Sequence, residues 1–231
     1  MKAAVFYGKQ KIVVEDVNIK EPKDNEVLIK VKYSGVCGTD VHIYEGEKGC
    51  TDVKPPRILG HELSGCVEKI GKNVTKVKIG DKVAVDPNDY CNNCYYCNNA
   101  KKHLCSNMTA VGVSLDGGFA EYVTVKENLV FKVADNVSYE SAAMVEPISC
   151  CLHGIDLMDI KQGDTVMVVG AGNIGLMMIQ LLKYKGAVNI IAVEPFEKRR
   201  ERAKKYGANI VIDPINDNTE EILKNLILIK L

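Results

Sequence analysis

Cys91, Cys94, Cys97 and Cys105 are placed as ligands to one tetrahedral metal ion, with two, two and seven residues between successive cysteines. A two-residue gap lets neighbouring thiolates turn back onto a single ion, and Asn92, Asn93, Asn98 and Asn99 supply turn formers between them. Four thiolates leave no open coordination position, so a zinc held here is structural and the reaction centre must be sought elsewhere. Two disulfides or free thiols are the competing reading of the same spacing.

A second chemical feature is the run from Val166 to Gly175, in which Gly170, Gly172 and Gly175 match G-x-G-x-x-G directly after a strand-like stretch. Gly170 permits a tight turn, Gly172 lets backbone approach a pyrophosphate, and Gly175 lets helix pack on strand. The N–H groups of Asn173 and Ile174 then face the phosphates from a helix start. Alone the motif is weak, but Glu194 at the end of the next expected strand supplies its context. Glu194 is able to accept both hydroxyls of an adenosine ribose and would repel a 2′-phosphate, which favours NAD over NADP. Arg199 and Arg200 follow closely; they either soften that preference or form a solvated helix face.

The third group is Cys37-Gly-Thr39-Asp40-Val-His42 together with Gly60-His61-Glu62. A catalytic zinc takes about three protein ligands plus water or substrate, and Cys37, His61 and Glu62 offer a mixed sulfur, nitrogen and oxygen set. Each of them alone reads equally as a packed core residue. Their force comes from sharing a chain with the four-cysteine stretch and the glycine turn.

The elements that must position these groups divide the 231 residues in two. Ala3 to Tyr7, Lys11 to Val17, Glu26 to Tyr33, Gly60 to Val74, Asp81 to Asp86 and Phe119 to Val125 have strand character punctuated by glycine. They predict a partly open barrel or sandwich over roughly the first 130 residues. Tyr139 to Asp156 has helical spacing after a Ser138 cap, with a break expected after Glu146 because Pro147 follows. From Asp164 the pattern alternates: strand Thr165 to Val169, helix Ile174 to Tyr184, strand Ile190 to Val193, helix Glu197 to Tyr206, strand Asn209 to Ile212. That alternation signals parallel βαβ units.

Composition narrows the function classes. Lys+Arg 30 against Asp+Glu 30 gives no reason to expect a nucleic-acid or membrane-surface partner, and 46% hydrophobic residues are enough for a buried core. The start, Met1 to Tyr7, is strand-like and does not read as a signal peptide, and no apolar run reaches membrane-spanning length. Nine cysteines without a secretion signal point to a reducing, cytoplasmic setting.

Gly60-His61-Glu62-x-x-Gly65-x5-Gly71-x-x-Val74 resembles the zinc signature of the medium-chain alcohol and polyol dehydrogenases. The Cys37-Gly-Thr-Asp segment, the four-cysteine spacing and the Gly170 to Gly175 turn agree with it in order, from Met1 to about Thr219. The resemblance implies an α+β then α/β fold: a GroES-like, partly open β-barrel catalytic domain with a zinc lobe over 1–155, then an incomplete Rossmann-type sheet over 156–231. It implies two zinc ions, one catalytic at Cys37, His61 and Glu62 and one structural at the four cysteines, with NAD as the cofactor. Glu146 resembles the second glutamate that sorbitol-type members place beside the metal, bound directly or through water, and tilts the substrate towards a polyol, sugar alcohol or diol. Thr39 and His42 match the family's hydroxyl relay, in which Thr39 passes the alcohol's proton outward while nicotinamide takes the hydride. The segment from Cys37 to Tyr44 also resembles threonine dehydrogenases, which usually carry an aspartate where this chain has Glu146. His153 and the Cys150-Cys151 pair read as helix packing, and Cys50 and Cys66 as ordinary thiols.

Family members run well beyond Leu231, and three strands of a six-stranded dinucleotide sheet are countable. The apolar stretch Leu226 to Leu231 lacks the next strand's glycine and aspartate context, so the chain reads as truncated. The expectation is little turnover by this chain and clear turnover once the downstream sequence is restored. A homo-oligomer, dimer or tetramer, is implied for the full-length form.

Overall fold

The computed structural model describes residues 1–47 and 53–228, which fold as two compact units, Met1–Glu146 and Pro147–Leu231. In the first unit β1 (Lys2–Gly8), β2 (Lys11–Asp16) and β3 (Glu26–Ser34) lead into α1 (Gly38–Glu45). There follow β4 (Arg57–Ile58), β5 (Leu63–Ile70), β6 (Lys82–Val85), β7 (Asn88–Asp89) and the short α2 (Tyr95–Asn98). Then come β8 (Thr109–Ala110), β9 (Tyr122–Lys126), β10 (Val130–Lys132) and α3 (Tyr139–Ala143). The central sheet is antiparallel in the order β10-β6-β5-β3-β9, flanked by a β2-β1-β4 sheet and the β7-β8 pair.

Alternation explains the main core. Val27 and Ile29 on β3, Val83 and Val85 on β6, and Val123 and Val125 on β9 point to one side and pack with Leu63 and Val67. Leu28 on the opposite face of β3 is buried as well, while Lys30 and Lys32 further along the strand are exposed. Residues 117–121 tie the two sheets together: Phe119 N donates to Leu59 O, Ala4 N to Phe119 O, and Val31 N to Glu121 O. No strand order closes on itself among the described residues, so the barrel is partly open.

Ser138 caps α3, its hydroxyl accepting from Ser141 N at 3.2 Å. The helical break falls at Met144 rather than after Glu146, and α4 (Val145–Leu157) carries Pro147 in its first turn. A proline there costs nothing, because the N–H it lacks would have no intrahelical partner at that position.

In the second unit β11 (Thr165–Val169), α5 (Asn173–Lys185), β12 (Asn189–Val193), α6 (Glu197–Tyr206), β13 (Ile210–Ile212) and α7 (Thr219–Leu228) alternate. The three strands are parallel in the order β11-β12-β13. Successive residues of β12 go to opposite faces. Ile190 and Ala192 pack with Ile155, Ile179, Leu182 and Ala203, whereas Ile191 and Val193 pack with Ile212, Ile222 and Leu223. That is the double burial of a parallel strand. On β11, an edge of this sheet, Met167 and Val169 are exposed. Cys50 and the last three residues of the apolar stretch, 229–231, lie outside the described residues.

One buried charge sets a pH expectation for the first unit. Asp81 is 7% exposed, accepts from Lys132 Nζ at 2.7 Å and Lys78 N at 3.0 Å, and those bonds hold its carboxyl below the usual carboxylate range. A depressed folded value contributes stability above the unfolded value of about 4 and loses it as pH falls through the folded value. Asp81→Asn is expected to lower stability at neutral pH by about 1–3 kcal/mol and flatten the acid limb below about pH 4. Urea unfolding across pH checks both; a parallel loss at every pH would refute the assignment.

Candidate metal centres and cofactor turn

The sulfur atoms of Cys91, Cys94, Cys97 and Cys105 all lie within 4.8 Å of one another. Three of the separations are 3.5 Å (Cys91–Cys105), 3.9 Å (Cys91–Cys97) and 4.0 Å (Cys94–Cys105). Thiolates about 2.3 Å from a tetrahedral zinc stand about 3.8 Å apart, whereas bonded sulfurs stand about 2 Å apart. None of these four cysteines is in a disulfide, so that reading is excluded for them and the donor set fits a metal.

Backbone N–H groups support the thiolates. Those of Cys97 and Ser106 pull the Cys94 thiol down to about 6. Those of Asn93 and Cys94 lower Cys91, while burial and the neighbouring thiols push Cys97 up to about 12.

The second cluster is Cys37, His61 and Glu62, whose ligand atoms again lie within 4.8 Å of one another. Cys37 follows β3 and is the cap residue of α1; His61 and Glu62 lie just before β5. Asp40 locks the two segments together. It is 4% exposed, its Oδ2 accepts from Cys37 N at 2.9 Å, and its Oδ1 accepts from Gly60 N at 3.2 Å. The same Oδ1 stands 3.8 Å from His61 Nδ1, which is buried with no hydrogen-bond partner.

Burial raises the Cys37 thiol, the N–H and hydroxyl of Thr39 lower it, and the carboxylates of Glu62 and Asp40 raise it again. A thiol, an imidazole and a carboxylate converging this way suit a divalent cation. Three ligands leave a position open, unlike the four-sulfur set. Neither cluster lines the groove that runs past Val5, Lys20, Arg57 and Tyr122.

The remaining expected residues are placed less uniformly. Thr39 turns its hydroxyl to the Cys37 sulfur. His42, three residues on, is half exposed, and its Nδ1 meets Glu47 Oε2 at 2.6 Å. That pairing follows from the end of α1, where Gly46 N donates to Ile43 O and Glu47 N to His42 O, folding residue 47 back onto residue 42. Glu146 is half-buried and falls outside the set of converging ligand atoms. Sequence reasoning named Asp40 in its group without giving it a role, and missed Glu47. Asp40 had a signal, an acid three residues after a cap residue; Glu47 had none.

In the second unit the glycine turn joins β11 to α5, with Gly172 as the cap residue. A Cβ on Gly175 would stand 1.9 Å from Gly170 O, so only glycine lets the helix start against the turn. No atom lies within 4 Å of where a Gly172 Cβ would stand, and that side of the turn is open. Glu194 is 2% exposed; Oε2 accepts from Ala171 N at 2.8 Å and Oε1 from Phe196 N at 3.0 Å. Each oxygen keeps a second acceptor position.

The two arginines differ. Arg200 is tied to Glu194 O, Pro195 O and Asp213, so it is structural. Arg199 is half exposed over the Phe196 ring, 3.8 Å from Glu194 Oε2.

Residues 23–135 match the alcohol dehydrogenase GroES-like domain, and residues 173–228 match the zinc-binding dehydrogenase family. The 2R,3R-butanediol dehydrogenase structure from Bacillus subtilis superposes with a TM-score of 0.88 at 35% identity, covering 97% of this chain and 67% of that one. The chain belongs to the zinc-binding alcohol dehydrogenase family. Among its family relatives is the L-threonine 3-dehydrogenase of Caldanaerobacter subterraneus subsp. tengcongensis, 41% identical over 220 residues. That match covers 95% of this chain and 63% of the relative, so the chain spans less than two thirds of the relative's length. A short chain alcohol dehydrogenase structure from E. coli CFT073, complexed with NADH, superposes at a TM-score of 0.91 with 33% identity and coverage of 98% and 66%. The GroES-like match contains both cysteine-bearing clusters, and the zinc-binding dehydrogenase match begins at the first residue of α5. Among the described residues no helix is long and apolar enough to cross a membrane.

Proposed function

We propose that the chain carries the zinc-binding and the adenosine-binding parts of an NAD-linked dehydrogenase that oxidises a secondary alcohol to a ketone. The observation that carries this reading is the convergence of Cys37, His61 and Glu62 with one position left open, in a chain that also has a closed four-sulfur site. Zinc held by Cys37, His61 and Glu62 would supply polarisation of the alcohol oxygen, and bound NAD would supply the hydride acceptor. Cys37 and Glu62 provide the negative charge that binds the cation, and Asp40 fixes Cys37 relative to His61 through two backbone N–H groups.

Thr39 and His42 stand three residues apart on α1 and so share a face of the helix. The Thr39 hydroxyl rotates from the Cys37 sulfur to accept the substrate's proton while releasing its own towards His42. His42 hands that proton to solvent from its half-exposed position, with Glu47 beside it. Glu146 would act at the open position directly or through a water, as its likeness to the second glutamate of sorbitol-type members implies. The four-cysteine zinc holds the lobe and takes no part in the reaction.

Diols, polyols and sugar alcohols are the favoured substrates, on the strength of Glu146 and the butanediol dehydrogenase likeness. Threonine is the second reading, favoured by the segment from Cys37 to Tyr44 and by the threonine dehydrogenase relative. NADH formation by the zinc-loaded, full-length protein with butanediol, sorbitol, threonine and a primary alcohol separates these. Turnover of the diol or polyol above the others is expected; NADH from the primary alcohol alone, or from none, would overturn the reading. A cytoplasmic homo-oligomer is the expected state of the full-length form, in keeping with the cysteine usage of the chain.

Glu194 sets the cofactor preference in this scheme. Its charge repels a 2′-phosphate, and Arg199 is the one cation of the pair left to attract it. Glu194→Gln is expected to shift the NAD-to-NADP affinity ratio by about 10–100-fold towards NADP. The ratio is the readout because glutamine also disturbs the bonds to Ala171 N and Phe196 N, which weakens both cofactors together. Calorimetric titration with each cofactor measures it, and an unchanged ratio removes Glu194 from the specificity role.

A further inference from the structure

Gly35 lies between the end of β3 and Cys37, and nothing about its backbone demands glycine, since it is not among the positive-φ glycines of the chain. Its neighbour explains the residue instead. Gly35 N donates to Glu62 O at 2.7 Å, continuing the pairing of Ser34 with Leu63 and placing residue 35 beside residue 62. A Cβ on residue 35 would stand 2.2 Å from Glu62 Oε2, 3.2 Å from Glu62 Cβ and 3.3 Å from Glu62 Cδ. All three of the nearest atoms belong to one side chain, and the tightest contact is its carboxylate.

We infer that Gly35 is a positioning residue for Glu62: the missing side chain is the space that lets the carboxylate fold over the backbone and join Cys37 and His61. The inference rests on the reading of those three residues as a metal-binding set. Because the closest clash is with the free end of a flexible side chain, a methyl group at residue 35 swings the carboxylate away and leaves the strand pairing intact. Gly175 is the contrast, where the clash is with backbone oxygen and nothing can move aside.

The test is a double-mutant cycle read by metal binding. Wild type, Gly35→Ala, Glu62→Ala and the double variant are loaded with Co2+, and affinity at the Cys37 site is measured by chelator competition alongside the visible spectrum. Metal retained at the four-cysteine site reports that each variant is folded.

Gly35→Ala is expected to weaken the Cys37 site by about 10–100-fold, matching Glu62→Ala in size and spectrum, with no further loss in the double variant. If Gly35→Ala fails to fold, the double variant is expected to fold, because the clash is with Glu62. An unaltered Gly35→Ala site, losses that multiply, or unfolding of both Gly35 variants would overturn the inference while leaving the metal set standing. Glu62→Ala without effect on affinity or spectrum would overturn the metal reading and this inference with it.

Discussion

Cys37→Ser is expected to empty the Cys37, His61 and Glu62 site and to lower turnover of the full-length enzyme by about a thousandfold or more. Serine keeps the cap position at α1 and the bond from the residue 37 N–H to Asp40, so the fold is left alone. What disappears is one of three ligands and one of two negative charges facing the cation. Metal polarisation of a substrate oxygen supplies several kcal/mol, and about 4 kcal/mol is about a thousandfold in rate. NADH formation and zinc content of the purified variant check the two halves separately. Full zinc content with lost turnover would place Cys37 in some role other than ligand.

Cys94→Ser is expected to do the reverse. The Cys94 thiol is drawn down to about 6, because its sulfur accepts from the N–H groups of Cys97 and Ser106. The lobe has little else to hold it: a four-residue helix, one turn of 3-10 helix and the two-residue strands β7 and β8. Structural zinc sites are worth about 10–16 kcal/mol to isolated peptides, and a lobe this poor in core depends on that contribution. Soluble yield is expected to fall and limited proteolysis to cut between Cys91 and Cys105, while the Cys37 site keeps its ligands. If both serine variants damaged stability and turnover alike, the division into structural and catalytic sites would be wrong.

Much of the architecture was legible because periodicity reflects burial. The alternating valines of β3 and β9 and the strand expected over Ile190 to Val193 are read from the sequence alone, and the structure buries them accordingly, whereas the continuous apolar run of β11 leaves Met167 and Val169 exposed. Helix α1 was not legible. It buries only Asp40 and Ile43, so it has no apolar stripe, and it is held by the Asp40 bond at its start and the turn at Gly46. Pro147 misled for the opposite reason, since a proline signals a break in a helix interior but is accommodated in a first turn.

The ligand sets were legible where spacing is local, as with the four cysteines. Cys37 and His61 are 24 positions apart, and their meeting depends on β3 pairing with β5 and on Asp40 bridging the two segments. Glu146 was assigned by family likeness, and its ligand atoms lie outside the converging set. The two arginines after Glu194 looked equivalent in sequence; only the fold shows that Arg200 is committed to carbonyl oxygens and Asp213 while Arg199 stays half exposed.

Zinc counting tests the central claim, that one chain holds two chemically different zinc sites. Metal analysis of the purified chain is predicted to find two zinc ions, from the two ligand clusters, with one extracted readily by a mild chelator and one retained. Cys37→Ser is predicted to keep only the retained ion. A single zinc in the wild-type chain, or two that both survive Cys37→Ser, would contradict the account.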